Sequence, residues 1–204
     1  MSLNLFEIEN IDYEREDNLL ISNLSFTVQP GGFVYIAGNN GKGKTTLLKI
    51  LAGILRPAKG RVLWQKQPIS LDPQHFYRQM TYIGHKSGID PALTSEENLR
   101  FFAKAYSLRS TVEKSLEALG LLEYRHIPAA YLSAGQIRRI ALAKLFLLDT
   151  PLWLLDEPYT AMDNEGTAWL QQYMYNHLEK GGMIVMTSHQ PCGIHLPAIQ
   201  EINL

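Results

Sequence analysis

Gly38-Asn39-Asn40-Gly41-Lys42-Gly43-Lys44-Thr45-Thr46 is the stretch whose reading decides the fold. It follows an apolar run, Phe33 to Ala37, and precedes an amphipathic one carrying Leu47, Leu48, Ile50, Leu51, Ile54 and Leu55. Strand, glycine loop and helix in that order, with Gly38, four residues, then Gly43-Lys44-Thr45, form the pattern of a phosphate-binding loop. Backbone N–H groups that turn inward around a phosphate chain need conformations that glycine adopts cheaply. A helix starting near Lys44 aims its unpaired N–H groups and positive dipole end at the same anion. Lys44 supplies a point charge to the β/γ oxygens, and the Thr45 hydroxyl suits Mg²⁺. The ligand this implies is a nucleoside triphosphate.

Composition bounds the remaining possibilities. With 204 residues, 46% of them hydrophobic, the chain can build one sizeable core, whether or not it divides into lobes. A formal net charge of −1 gives no overall bias toward nucleic acid, which is not an expected partner, or toward anionic lipid. A single cysteine, Cys192, excludes an internal disulfide framework and fits a reducing compartment. No run approaches the ~20 apolar residues of a membrane span. The N-terminal MSLNLFEIEN lacks the pattern of a signal peptide.

Working outward, Leu5 to Ile11 and Leu24 to Val28 alternate apolar and polar residues, and Gly60 to Trp64 reads as a third short strand. Broken by EREDN and by Pro30-Gly31-Gly32, these pieces predict an antiparallel layer around the nucleotide strand. Thr94-x-x-Glu97 and Ser110-x-x-Glu113 have capping-box spacing and predict helix starts, and a further helix is expected from about Gln136 to Leu148. Leu152 to Leu155 is apolar at every position, as a parallel strand buried on both faces requires. A helix from about Gly166 to Lys180 and a last buried strand, Met183 to Met186, complete an α/β alternation. The expectation is one nucleotide-binding domain spanning residues 1–204, with a helical insertion at about residues 86–150.

Two further constellations carry chemistry. Asp156-Glu157 follows the Leu152 strand, and ligands of open α/β sheets sit beyond the carboxyl ends of the strands. Asp156 is placed to hold Mg²⁺, and Glu157, pointing elsewhere, to polarise an attacking water. Leu132-Ser133-Ala134-Gly135-Gln136 opens a helix and reads two ways. Ser133 is either a plain N-cap or, with Gly135, part of a second anion site at a helix N-terminus. Of six histidines, His189 stands out because it follows the last apolar strand, at the sheet edge that holds Asp156.

The order GNNGKGKTT, LSAGQ, LLDE and TSHQ resembles the ATP-binding-cassette (ABC) ATPase family over essentially the whole chain. The resemblance implies a P-loop α/β fold with a parallel-sheet core, an antiparallel β subdomain and a helical subdomain. It implies a homodimer that sandwiches two ATP molecules, each between the P-loop of one subunit and the LSAGQ sequence of the other. Carried over residue by residue, Gly38, Asn39, Asn40, Gly41, Lys42, Gly43, Lys44, Thr45 and Thr46 form the phosphate loop, with Thr45 also at Mg²⁺. Asp156 binds Mg²⁺ through water and Glu157 is the catalytic base. Ser133 and Gly135 contact the γ-phosphate in trans, His189 is the switch histidine, and Asp163 belongs to the D-loop Ala161-Met162-Asp163. Tyr13 occupies the place of the aromatic that stacks on adenine, its bland reading being a strand aromatic in the core. One departure is His85, which stands where the family has a glutamine near the metal. Imidazole can bind metal-held water, but its charge changes near neutral pH.

Finer details, EREDN, VLWQKQPI, YIGHKSGI, LSAGQIRRIALAKL and SHQP, resemble the ATPase subunits of bacterial haem-exporter complexes of cytochrome c maturation. That likeness implies integral membrane partner subunits and a peripheral place on the cytoplasmic side of the inner membrane. Alternatives are the ATPase of another ABC importer or exporter, a P-loop kinase, for which LSAGQ would have no task, or a soluble ABC protein.

Overall fold

The computed structural model describes residues 5–16, 18–105, 112–188 and 199–204. Strands β1 (Phe6–Arg15) and β2 (Asn18–Val28) pair antiparallel, then Pro30-Gly31-Gly32 turns the chain into β3 (Phe33–Ala37). The glycine loop leads into α1 (Lys44–Leu51), followed by β4 (Lys59–Trp64), β5 (Gln67–Pro68), the short α2 (Pro73–Tyr77) and β6 (Met80–Ile83). Helices α3 (Ser95–Ala105), α4 (Val112–Ala118), α5 (Ala134–Leu142) and α6 (Lys144–Leu148) come next. The chain closes with β7 (Leu152–Asp156), α7 (Asn164–Glu179), β8 (Met183–Thr187) and β9 (Ile199–Asn203).

Two sheets result. One is antiparallel in the order β2-β1-β4-β5, and the other parallel in the order β6-β7-β8-β3-β9. This is the α/β architecture expected, a parallel-sheet core with an antiparallel β layer, and α1 and α7 pack on the parallel sheet. Every residue of β7 and β8 is buried, as the unbroken apolar runs require. Their period-two alternation divides two cores. Leu152, Leu154 and Val185 face α1 and the antiparallel sheet, whereas Trp153, Leu155, Ile184 and Met186 face Leu170, Met174 and Leu178 of α7. A third cluster, around Leu99, Leu116, Ile140 and Leu147, belongs to α3–α6.

Several boundaries differ from the sequence expectation. The break at EREDN shrinks to a hairpin tip, since β1 runs to Arg15 and β2 starts at Asn18. The helix expected from Gln136 to Leu148 starts at Ala134 and is interrupted at Ala143. Met183 to Thr187 is not the last strand, because β9 adds beside β3. Only Ile202 of β9 is buried, so its sequence carries no apolar alternation. The Thr94 capping box is present, with Thr94 N–H donating to Glu97 and Glu97 N–H to the Thr94 hydroxyl. Its counterpart at Ser110 lies outside the described residues.

One core contact makes stability pH-dependent. His177 stacks on Trp153 with ring centroids 3.6 Å apart and lies against Gly182. Burial pulls its imidazole down to about 4, against the opposing pull of the Pro151 carbonyl and Asp149. The unfolded chain, with histidine near 6.5, therefore binds the extra proton first. This contribution is complete above about pH 6.5 and is lost as pH falls toward 4. Urea unfolding should show wild type losing about 2 kcal/mol more than His177→Phe between pH 7.5 and 5. Parallel pH profiles would contradict a neutral, desolvated His177.

Candidate active site

The glycine loop connects β3 to α1, and Gly43 is the left-handed residue (φ 98°) on which the helix starts. A Cβ there would also meet the Leu20 side chain, so a larger residue would need Leu20 to shift as well as a strained backbone. Through the same contact, β2 of the antiparallel sheet buttresses the loop. Lys44 is only 6% exposed. Its Nζ donates to Gly38 O at 2.6 Å and to Asn39 O at 3.2 Å, pinning the start of the loop. An ammonium has three donors, so one remains for a phosphate oxygen. Gly41 and Lys42 are exposed on the loop, whereas Thr45 and Thr46 open α1.

Parallel pairing brings the ends of β7, β8 and β3 level, with Asp156 opposite Thr187. Asp156 is 1% exposed. Its Oδ1 accepts from Thr187 Oγ1 at 2.8 Å and from Thr45 Oγ1 at 3.2 Å. Its Oδ2 is buried and, among the described residues, has no hydrogen-bond partner. A buried carboxylate oxygen with no donor, beside a threonine hydroxyl, is a hard-oxygen set of the kind Mg²⁺ takes, so the residues present fit that ion. The charge of Asp156 is felt at Tyr82, whose phenol is pushed up to about 12, first by burial and then by Asp156.

Glu157 adopts a left-handed backbone conformation (φ 49°) immediately after the strand-end Asp156. Strain of this kind persists only where the surroundings hold it. Here the Glu157 N–H donates to both the carbonyl and the hydroxyl of Thr187, each at 3.1 Å. On the other side, Arg138 of α5 donates to the carbonyls of Gly84, Asp156, Glu157 and Pro158 at 2.8–3.2 Å. His85, expected near the metal, lies with its Nδ1 3.9 Å from Glu157 Oε2 and is largely exposed.

At the start of α5, Ser133 is an N-cap in a full capping box with Gln136. Ser133 and Ala134 are nevertheless exposed, leaving that helix end open to a ligand outside the subunit. Gly135 has a reason within the subunit: an added Cβ would sit 2.8 Å from Ala161 O. Asp163 caps α7 through Gly166 N–H and pairs with Arg139 at 2.8 Å, and these two contacts hold its carboxyl below the usual range. Tyr13 is half-buried on β1, opposite Ile21, and packs on the first core. His189 lies outside the described residues. Reading the sequence alone missed Arg138, Thr187 and Leu20. For Arg138 a signal existed, since helical spacing puts it on the same face as Ala141, Leu142 and Leu145, all buried.

Comparison with known proteins agrees with this geometry. Residues 21–160 match the ABC transporter family. The cytochrome c biogenesis ATP-binding export protein CcmA of Escherichia coli K12 is 42% identical over 202 residues, covering 99% of this chain and 97% of that protein. Its namesake in Mannheimia succiniciproducens is 44% identical over 206 residues, covering 100% and 95%. Among solved structures, an ATP-binding subunit of an ABC transporter superposes with a TM-score of 0.83 at 27% identity, covering 91% of this chain and 79% of that one. CbiO1 of Clostridium perfringens, part of the ABC transporter complex cbiONQ, has the same fold, with a TM-score of 0.75 at 22% identity over 92% and 79% of the two chains. This chain belongs to the ABC transporter family.

Proposed function

We propose that this chain is the ATP-hydrolysing subunit of a membrane complex that handles haem for cytochrome c biogenesis. One observation carries the biological assignment: identity of 42–44% to cytochrome c biogenesis ATP-binding export proteins over nearly the full length of both chains. The chemistry rests on the sheet edge. Thr45 and Asp156 are the residues that would hold Mg²⁺, the Asp156 Oδ2 having no hydrogen-bond partner among the described residues. When bound, Mg²⁺ neutralises charge that develops on the β/γ oxygens. Lys44 and the α1 N–H groups hold the same oxygens, and Tyr13 stacks on adenine. Glu157 takes a proton from water as the water oxygen bonds to the γ-phosphorus. The bond to the bridging β–γ oxygen breaks, leaving ADP and phosphate. His85 orients the water or the Glu157 carboxylate from the far side.

Two copies of the chain share each ATP in this reading, with the exposed Ser133 end of α5 and Gly135 completing the site of the partner. His189 adds a contact to the γ-phosphate. Residues 1–204 act as one nucleotide-binding domain whose helical part spans about residues 86–150. Among the described residues no helix is long and apolar enough to cross a membrane. The chain reaches the cytoplasmic face of the inner membrane through integral membrane partners.

Glu157→Gln should bind ATP with near-normal affinity and hydrolyse it roughly 10²–10⁴-fold more slowly, as expected for a lost general base. Wild-type turnover in that variant would exclude Glu157 from the role. For the biology, Lys44→Ala in the chromosomal copy should abolish haem-stained c-type cytochromes on denaturing gels while b-type cytochromes persist. Normal c-type staining would remove the haem assignment and leave the ATPase reading standing.

A further inference from the structure

Arg138 is 5% exposed and lies on α5, two residues after Gln136 closes the capping box. Its Nε donates to Pro158 O at 3.2 Å and its Nη1 to Gly84 O at 2.8 Å. Its Nη2 donates to Asp156 O at 2.9 Å and to Glu157 O at 2.8 Å. A buried cation at this depth needs compensation, and backbone carbonyls supply it in a fan that only a planar fork of donors can reach. Burial lowers the affinity of the guanidinium for its proton, and the nearby charges of Asp156 and Glu157 oppose that effect.

We propose that Arg138 is a positioning residue for ATP hydrolysis, locking the backbone of Glu157 and of the loop before His85 to helix α5. Three observations converge on this role. Glu157 sits in a left-handed conformation that Thr187 holds from the N–H side, while its carbonyl accepts from the Thr160 N–H at 3.2 Å and, more closely, from Arg138 at 2.8 Å, the contact that ties it to α5. The Gly84 carbonyl immediately precedes His85, whose imidazole lies beside the Glu157 carboxylate, so one guanidinium fixes both flanks of that carboxylate. Finally, α5 opens at Ser133. Arg138 is thus the side chain of α5 that reaches the Glu157 backbone directly, whereas the other links from this helix, Gly135 against Ala161 and Arg139 to Asp163, meet the chain further on.

This rests on Glu157 as the base, so Glu157→Gln is assayed beside the Arg138 variants in the full-length chain. Arg138→Ala and Arg138→Lys should bind a fluorescent ATP analogue with wild-type affinity while kcat falls about 10²-fold, the cost of a misplaced catalytic group. Millimolar guanidinium chloride should recover part of the kcat of Arg138→Ala and none of that of Arg138→Lys, whose ammonium fills the site without matching the carbonyl fan. If Arg138→Ala does not fold, Arg138→Lys, which retains the charge, decides the matter by the same split between kcat and affinity. Wild-type kcat in Arg138→Lys, or a loss of kcat matched by an equal loss of ATP affinity, overturns the proposal. If Glu157→Gln is inactive while Arg138→Lys is fully active, only the positioning role falls. If Glu157→Gln turns over at the wild-type rate, the base assignment falls first and takes the positioning role with it.

Discussion

A carboxylate buried at the end of a parallel strand, with one oxygen satisfied and the other not, sets the logic of this molecule. Asp156 Oδ1 accepts from two threonine hydroxyls, Thr45 of α1 and Thr187 of β8, so a single atom ties the helix after the glycine loop to two neighbouring strands. The remaining oxygen is shut away from water and, among the described residues, has no hydrogen-bond partner. A buried carboxylate oxygen without a donor is costly, and a divalent cation would relieve that cost. The residues gathered here have the chemistry to hold a metal bound to phosphate.

The surroundings hold that carboxylate in place. Trp153, Leu155, Ile184 and Met186 are packed against α7 on one side of the sheet, and Leu154 and Val185 against α1 on the other. With both faces closed, a one-residue slip of β7 would exchange the side chains facing the two cores and carry Asp156 away from Thr45 and Thr187. The same rigidity permits the unfavourable φ of Glu157, which Thr187 and Arg138 grip from opposite sides. Gly135 belongs to this arrangement as well, because the carbonyl of Ala161 approaches too closely for any side chain.

Much of this was legible from the sequence, and the reason is locality. The glycine loop, the Asp156-Glu157 pair and the Thr94 capping box each depend on residues a few positions apart, so their order along the chain carries the information. The all-apolar runs of β7 and β8 announced burial on both faces. What escaped notice depends on distant contacts. Strand β9 buries only Ile202, and β6 is only four residues long, so neither shows a period. The break at Ala143 has no proline or glycine to mark it. Thr187 looked like the end of a strand until β7 placed Asp156 opposite it. Arg138 was readable as a charge on an apolar helix face, but its partners lie on the loops after β6 and β7.

The account stands on Asp156 as a metal ligand, and manganese substitution tests that most directly. Mn²⁺ bound together with a non-hydrolysable ATP analogue is counted by electron paramagnetic resonance in wild type and in Asp156→Asn. The account predicts that the variant binds Mn²⁺ at least about tenfold more weakly. Equal Mn²⁺ affinity in the two proteins would contradict the account.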